Sequence, residues 1–171
     1  MSSFRMFQPG LLGTKRFTIV VFGGEEIGMA EAQTYVFRVS LSPKIYREFE
    51  ILGTKNLYDL AGATVQVFGF DFDHAFGFYS QLSGNIFRSP VKYELFADMG
   101  ESEARRVKRT RIVEAFPTVG TRMIFLFDYG DNWQFQIEAV GQNPKEPKVK
   151  YPRLLKAIGI APEQYPDPDD K

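Results

Sequence analysis

Two short segments hold the residues best able to do acid–base or ligand chemistry. FDFDHAFGFY (Phe70 to Tyr79) carries Asp71, Asp73 and His74, and FDYGDNW (Phe127 to Trp133) carries Asp128, Tyr129, Asp131 and Trp133. His74 is the only histidine of the 171 residues, so a base, a proton shuttle or a Ser-His-Asp triad would have to use it. Paired with Asp71 or Asp73, it is the catalytic candidate. The alternation of the segment argues the other way. In a regular strand His74 shares a face with Phe70, Phe72, Phe76 and Phe78, and the two aspartates point away. The residues therefore favour a half-buried histidine satisfied by a carbonyl or carboxylate; only a bulge or loop at Asp71–His74 would gather all three.

In the second segment a strongly apolar run ends in an acid beside two aromatics. Asp128, Tyr129, Asp131 and Trp133 are the ligand-binding candidates, a carboxylate against aromatic walls suiting a cationic or hydroxylated ligand. The plainer reading is a turn, since Asp bonds its own backbone N–H groups and Gly130 accepts positive φ. If Asp71, Asp73, Asp128 and Asp131 lie at one sheet end, they could hold Mg²⁺ or Mn²⁺, hard cations that take oxygen ligands; structural hydrogen bonding is the favoured alternative, with no cofactor. A third candidate is basic. ESEARRVKRTR (101–111) sets Arg105, Arg106, Lys108, Arg109 and Arg111 against Glu101 and Glu103, and could touch nucleic-acid phosphates. A solvated loop or a charged edge strand explains the same run.

Composition narrows the classes. The chain lacks cysteine, which excludes disulfides, thiolate zinc sites, iron–sulfur clusters and a cysteine nucleophile. One histidine excludes a multi-histidine metal site within the chain. The 21 basic and 21 acidic side chains balance, so bulk electrostatics favours neither nucleic acid nor acidic lipid. No apolar run approaches the ~20 residues of a membrane span, and a cytoplasmic location is expected.

The elements that must position these residues follow from periodicity. Tyr35, Phe37, Val39 and Leu41 alternate on one strand, Ser42-Pro43-Lys44 turns, and Ile45–Ile51 returns. Leu57, Leu60, Ala61, Val65 and Phe68 mark one face of a helix that Thr54 or Asn56 can cap and Gly69 can end. Strands are expected at 70–79, 91–96, 122–128 and 133–140, a helical turn at 112–116 and a short helix within 151–158. This order predicts an α+β fold: an antiparallel sheet built from hairpins with one main helix packed on one face. Three segments are expected. Residues 1–28 are an extension, read either as an in-frame translation upstream of a start at Met29 or as an extra edge strand at FTIVVF; 29–143 form the domain; 144–171 are rich in proline and end in acids.

YVFRVSL with IYREFEI, then LYDLA, DxDHAFGF and FDYGDNWxF, in that order, resemble the Ri-plasmid (pRiA) open-reading-frame-three-like family, also labelled insertion-element passenger TnpR-like proteins. The resemblance spans about Tyr35 to Val140 and extends toward YPRLLKAIGIAPEQYPDPDD. It implies a small bacterial or archaeal α+β domain, often beside plasmid or mobile genes, and no particular activity. The TnpR-like label suggests a resolvase, but no recombinase constellation with clustered arginines is visible. Many relatives carry a histidine where this chain has Phe135, and cysteines where it has Arg153-Leu154-Leu155 and Ala161–Tyr165; a metal role resting on that set has no matching residues here. The favoured function is a non-enzymatic binding module for a protein or small ligand, using a surface near Tyr129, Trp133 and His74. The alternatives are a metal-dependent hydrolase or nuclease built on the aspartates, and nucleic-acid binding through Arg105–Arg111.

Overall fold

The computed structural model describes residues 33–166. Both readings of residues 1–28 lie outside that range. The described residues form a mixed α+β fold around one eight-stranded sheet. The strands are β1 (Gln33–Ser42), β2 (Ile45–Leu52), β3 (Phe76–Tyr79), β4 (Lys92–Glu94), β5 (Arg105–Arg106), β6 (Arg122–Phe127), β7 (Trp133–Pro144) and β8 (Arg153–Ile158). The helices are α1 (Leu57–Val67), α2 (Leu95–Met99) and α3 (Ile112–Ala115). Spatial order is β5-β4-β3-β6-β7-β1-β2-β8, antiparallel at every pair except β4 with β5, which run parallel.

The alternation read from the sequence builds the helix-side core. Tyr35, Phe37 and Val39 of β1, Phe125 and Phe127 of β6, and Phe135, Ile137 and Ala139 of β7 are buried there with Leu57, Leu60, Ala61 and Val65 of α1. Burial of such aromatics dominates core energetics. Asn56 starts α1 with a capping box: its side chain accepts the Asp59 N–H at 2.9 Å while Asp59 accepts the Asn56 N–H at 3.4 Å. Gly69, at φ +77°, ends the turn that follows. On the opposite face Tyr79, Ile86, Ile124 and Leu126 form a second small cluster with Tyr129. β6 is thus covered on both sides, which is why its sequence is apolar from Met123 to Phe127.

Three expected elements differ. The strand expected at 70–79 is confined to β3, and residues 70–75 form a loop. Phe70 and Phe72 do turn inward, but onto Trp133 (ring centroids 4.9 Å apart) and Tyr58 (5.2 Å), not along a sheet ladder. The strand expected at 91–96 stops at Glu94, and α2 follows until Gly100 at φ +82° ends it. The helix expected within 151–158 is instead strand β8, paired along β2 from Arg153↔Glu50 to Ile158↔Tyr46. Its anchor is polar: Glu50, 1% exposed, receives Arg153 Nε at 2.6 Å, the Asn143 amide at 3.2 Å and the Thr34 hydroxyl. Burial pushes the Glu50 carboxyl up, but these three donors outweigh it and hold it below the usual range.

Candidate functional site

β6 is followed by Asp128, which takes up φ +58°. Aspartate tolerates that left-handed geometry because its short side chain bonds locally. Oδ1 accepts the N–H groups of Gly130 (2.9 Å) and Asp131 (3.3 Å), and the backbone N–H of Asp128 donates to Ala75 (3.0 Å). The turn reading of this acid therefore holds for one oxygen, but the positive φ falls on Asp128 and Asn132, not on Gly130. The other, Oδ2, faces His74 Nε2 at 3.5 Å.

The loop at 70–75 removes the parity objection to a site. His74 is not half-buried among the phenylalanines; it is exposed, with its ring perpendicular to that of Phe127. Its Nδ1 lies 2.7 Å from Asp73 Oδ1. The imidazole is thus flanked by a carboxylate at each nitrogen. The hydrogen bond to Asp73 is the main reason its pKa lies above the ordinary value, with partial burial opposing and the charges of Asp128, Asp73 and Asp131 adding. Reciprocally, His74 and then Tyr165 hold Asp73 below the usual carboxylate range. Carboxylates at both nitrogens favour the protonated imidazole, in which Nε2 is a donor.

Two residues that sequence reasoning did not single out complete the cluster. The Tyr165 hydroxyl donates to Asp73 at 2.9 Å and lies 3.2 Å from His74 Nδ1; burial, then Asp73, pushes its pKa up to about 12. Gln164, almost buried, accepts the Asp71 N–H at 2.6 Å and donates to the Asp71 carbonyl at 3.2 Å. This C-terminal strap takes up backbone groups that a neighbouring strand would otherwise satisfy. The only sequence signal was that 164–165 fall where relatives place other residues.

Beside His74 opens a groove of about 250 Å³. Tyr58, Phe72, Phe76, Leu95 and Met99 form its walls, and Asp73 and His74 its polar rim. Lys108 Nζ stands 4.9 Å from the centroid of the Tyr58 ring. A larger hollow of about 450 Å³ lies away from these residues, between β1 and β7 around Arg38, Ser40, Gln134 and Glu138.

The remaining candidates do not join the site. Asp71 engages through its backbone and Asp131 is exposed at the turn. The four aspartates do not converge, and among the described residues no group of three His, Cys, Asp or Glu side chains could hold a metal ion. Tyr129 belongs to the opposite face, its hydroxyl 2.9 Å from that of Tyr79; burial first of all pushes Tyr129 up to about 12 and raises Tyr79 strongly. Gly77 leaves room for this pair, since a Cβ there would lie 2.9 Å from the Tyr79 hydroxyl. Trp133 packs in the helix-side core with Nε1 buried and, among the described residues, unpartnered. Tyr129 and Trp133 therefore do not share a surface. The basic run disperses: Arg105 stacks on Tyr93, Lys108 turns to Tyr58, Arg111 pairs with Glu114 at 3.0 Å, and Arg106 and Arg109 are exposed.

The plasmid pRiA4b ORF-3-like protein family matches residues 33–165. The chain belongs to this family. The match takes in the strap as well as the two motifs, so the Asp73–His74–Asp128–Tyr165 cluster lies wholly within the family region. A crystal structure of a protein of unknown function from Methanosarcina mazei Go1 shares the fold, with a TM-score of 0.60, 20% identity, and coverage of 74% of this chain and 70% of that one. No curated protein matches the chain. Among the described residues no helix is long and apolar enough to cross a membrane.

Proposed function

We propose that this chain is a binding module of the pRiA4b ORF-3-like family, associated with plasmid or mobile-element genes, that seats an apolar side chain in the groove beside His74. The observation that carries the reading is the placement of His74, held between Asp73 and Asp128 at the rim of an aromatic and aliphatic hollow. Nδ1 is committed to Asp73 and Tyr165, whereas Nε2 stands 3.5 Å from Asp128, so in the protonated form its N–H is free to favour a closer acceptor. The two carboxylates repel an anion, so a neutral carbonyl, as in a peptide group, is the matching acceptor. Tyr58, Phe72, Phe76, Leu95 and Met99 supply the apolar contact that such pockets use for affinity.

N-acetylphenylalanine methylamide and N-acetylleucine methylamide, titrated at millimolar concentration, test this by NMR. The Met99 methyl and the His74 ring proton are expected to shift saturably, and Met99→Glu, at a position 62% exposed, is expected to abolish the His74 shift without unfolding the chain. Absence of any shift with both compounds would refute the reading.

A further inference from the structure

β8 has the sequence RLLKAI and is the last strand of the sheet, so its outer backbone edge has no strand beside it among the described residues. Edge strands are usually blunted by charge, bulges or short length. β8 has a bulge, where the register with β2 slips between Glu48 and Phe49, and it carries Arg153 and Lys156. It remains strongly apolar all the same. Leu154 is 53% exposed, Leu155 47%, Ile158 38% and, just beyond, Ile160 89%. These four make up four of the nine exposed large hydrophobics among the described residues, all within seven positions. Concentration of that kind marks an interaction site, whereas scattered exposure needs no explanation.

Charge selects the occupant. From Lys145 to Ile160 the chain carries Lys145, Lys148, Lys150, Arg153 and Lys156 against Glu146 alone. A second copy pairing through β8 would set basic strand against basic strand, which is unfavourable. We propose that β8 is a docking edge for an extended apolar peptide segment flanked by acidic residues, which adds to the sheet as a ninth strand. The main chain supplies the hydrogen bonds, Leu154, Leu155 and Ile158 supply the apolar contact, and the lysines set the preference for acidic flanks. This surface is separate from the His74 groove, and neither reading depends on the other.

The test uses the full chain with two fluorescein-labelled peptides, EEVTVIVEE and KKVTVIVKK, capped at both ends. Anisotropy is expected to show binding of the glutamate peptide and about tenfold weaker binding of the lysine peptide at low salt. Bound glutamate peptide is expected to slow hydrogen exchange of the β8 amides that do not bond to β2. Lys156→Glu, an exposed position, is expected to narrow the preference by weakening binding of the glutamate peptide. Binding of neither peptide, or equal binding of both, would overturn the proposal. So would slow β8 exchange without peptide: if it grows with protein concentration the occupant is a second copy, and if it does not the edge is already covered within the chain.

Discussion

Gln164→Ala should open the strap over the His74 loop without unfolding the sheet. Gln164 makes two hydrogen bonds to the Asp71 backbone, one accepted from the N–H at 2.6 Å and one donated to the carbonyl at 3.2 Å. It also donates to Asp73 at 3.3 Å and Tyr165 at 3.0 Å, but those groups are exposed and water replaces the bonds. Each backbone bond contributes a net ~1 kcal/mol, so alanine should weaken the closed strap by about 2 kcal/mol. At 1.4 kcal/mol per tenfold, this is a rise of roughly 30-fold in the open population. Amide exchange reports that population residue by residue. The Asp71 amide of the variant should exchange about 30-fold faster, while amides of β6 such as Phe125, at the centre of the sheet, keep their wild-type rates. A second readout follows from the neighbouring contact. With the strap open, Tyr165 no longer donates to Asp73, and the Asp73 pKa should rise toward its ordinary value. Unchanged Asp71 exchange would show that something other than Gln164 holds the strap, and equal acceleration at Phe125 would show that the strap does not open on its own.

The His74 pair makes stability depend on pH in a defined direction. Because the folded pKa of His74 is raised, its stabilising contribution is complete below the unfolded value of about 6.5 and is lost as pH rises through the folded value; the lowered Asp73 contributes above about 3.9 and loses its part as pH falls through its folded value. Urea unfolding across neutral pH should therefore show stability declining as pH rises, and Asp73→Asn, with its His74 midpoint lowered toward the ordinary value on NMR titration, should flatten the decline; an unchanged His74 midpoint would contradict the assigned cause. At Asp128, alanine should cost about 1–2 kcal/mol for the left-handed backbone and about 1 kcal/mol for the lost turn bonds, a melting decrease of roughly 4–12 °C, whereas Asp128→Asn should keep the turn and only lower the His74 pKa; equal melting temperatures for the two variants would sink the account.

Much of the architecture was legible because local pattern and global packing agree. The hairpin β1–β2 joins at Ser42↔Ile45, next to Pro43-Lys44. The β6–β7 hairpin closes through Asp128 to Asn132, where Asn132 donates back to Asp128 at 2.7 Å. Residues 70–75 were not legible as a loop, because Phe-Asp-Phe-Asp alternates like a strand. Its phenylalanines pack edge-on against Tyr58 and Trp133, and its backbone is bonded by a residue 93 positions away. β8 was misread for a related reason: Leu154, Leu155 and Ile158 suit one helical face, and the buried carboxylate of Glu50 that anchors Arg153 lies 103 positions upstream.

By itself the sequence determined the α+β class, the capped helix, the apolar strands and the family, since each rests on periodicity, capping or motif order within a few residues. Tertiary structure alone decided which candidates form the site. It joined Asp73, His74 and Asp128 to Tyr165 and Gln164, and it parted Tyr129 from Trp133. The reason is physical: a side chain's protonation and partners depend on what stands within a few ångströms of it, and the groups around His74 arrive from β6 and the C-terminal strap, distances along the chain over which side-chain periodicity carries no information.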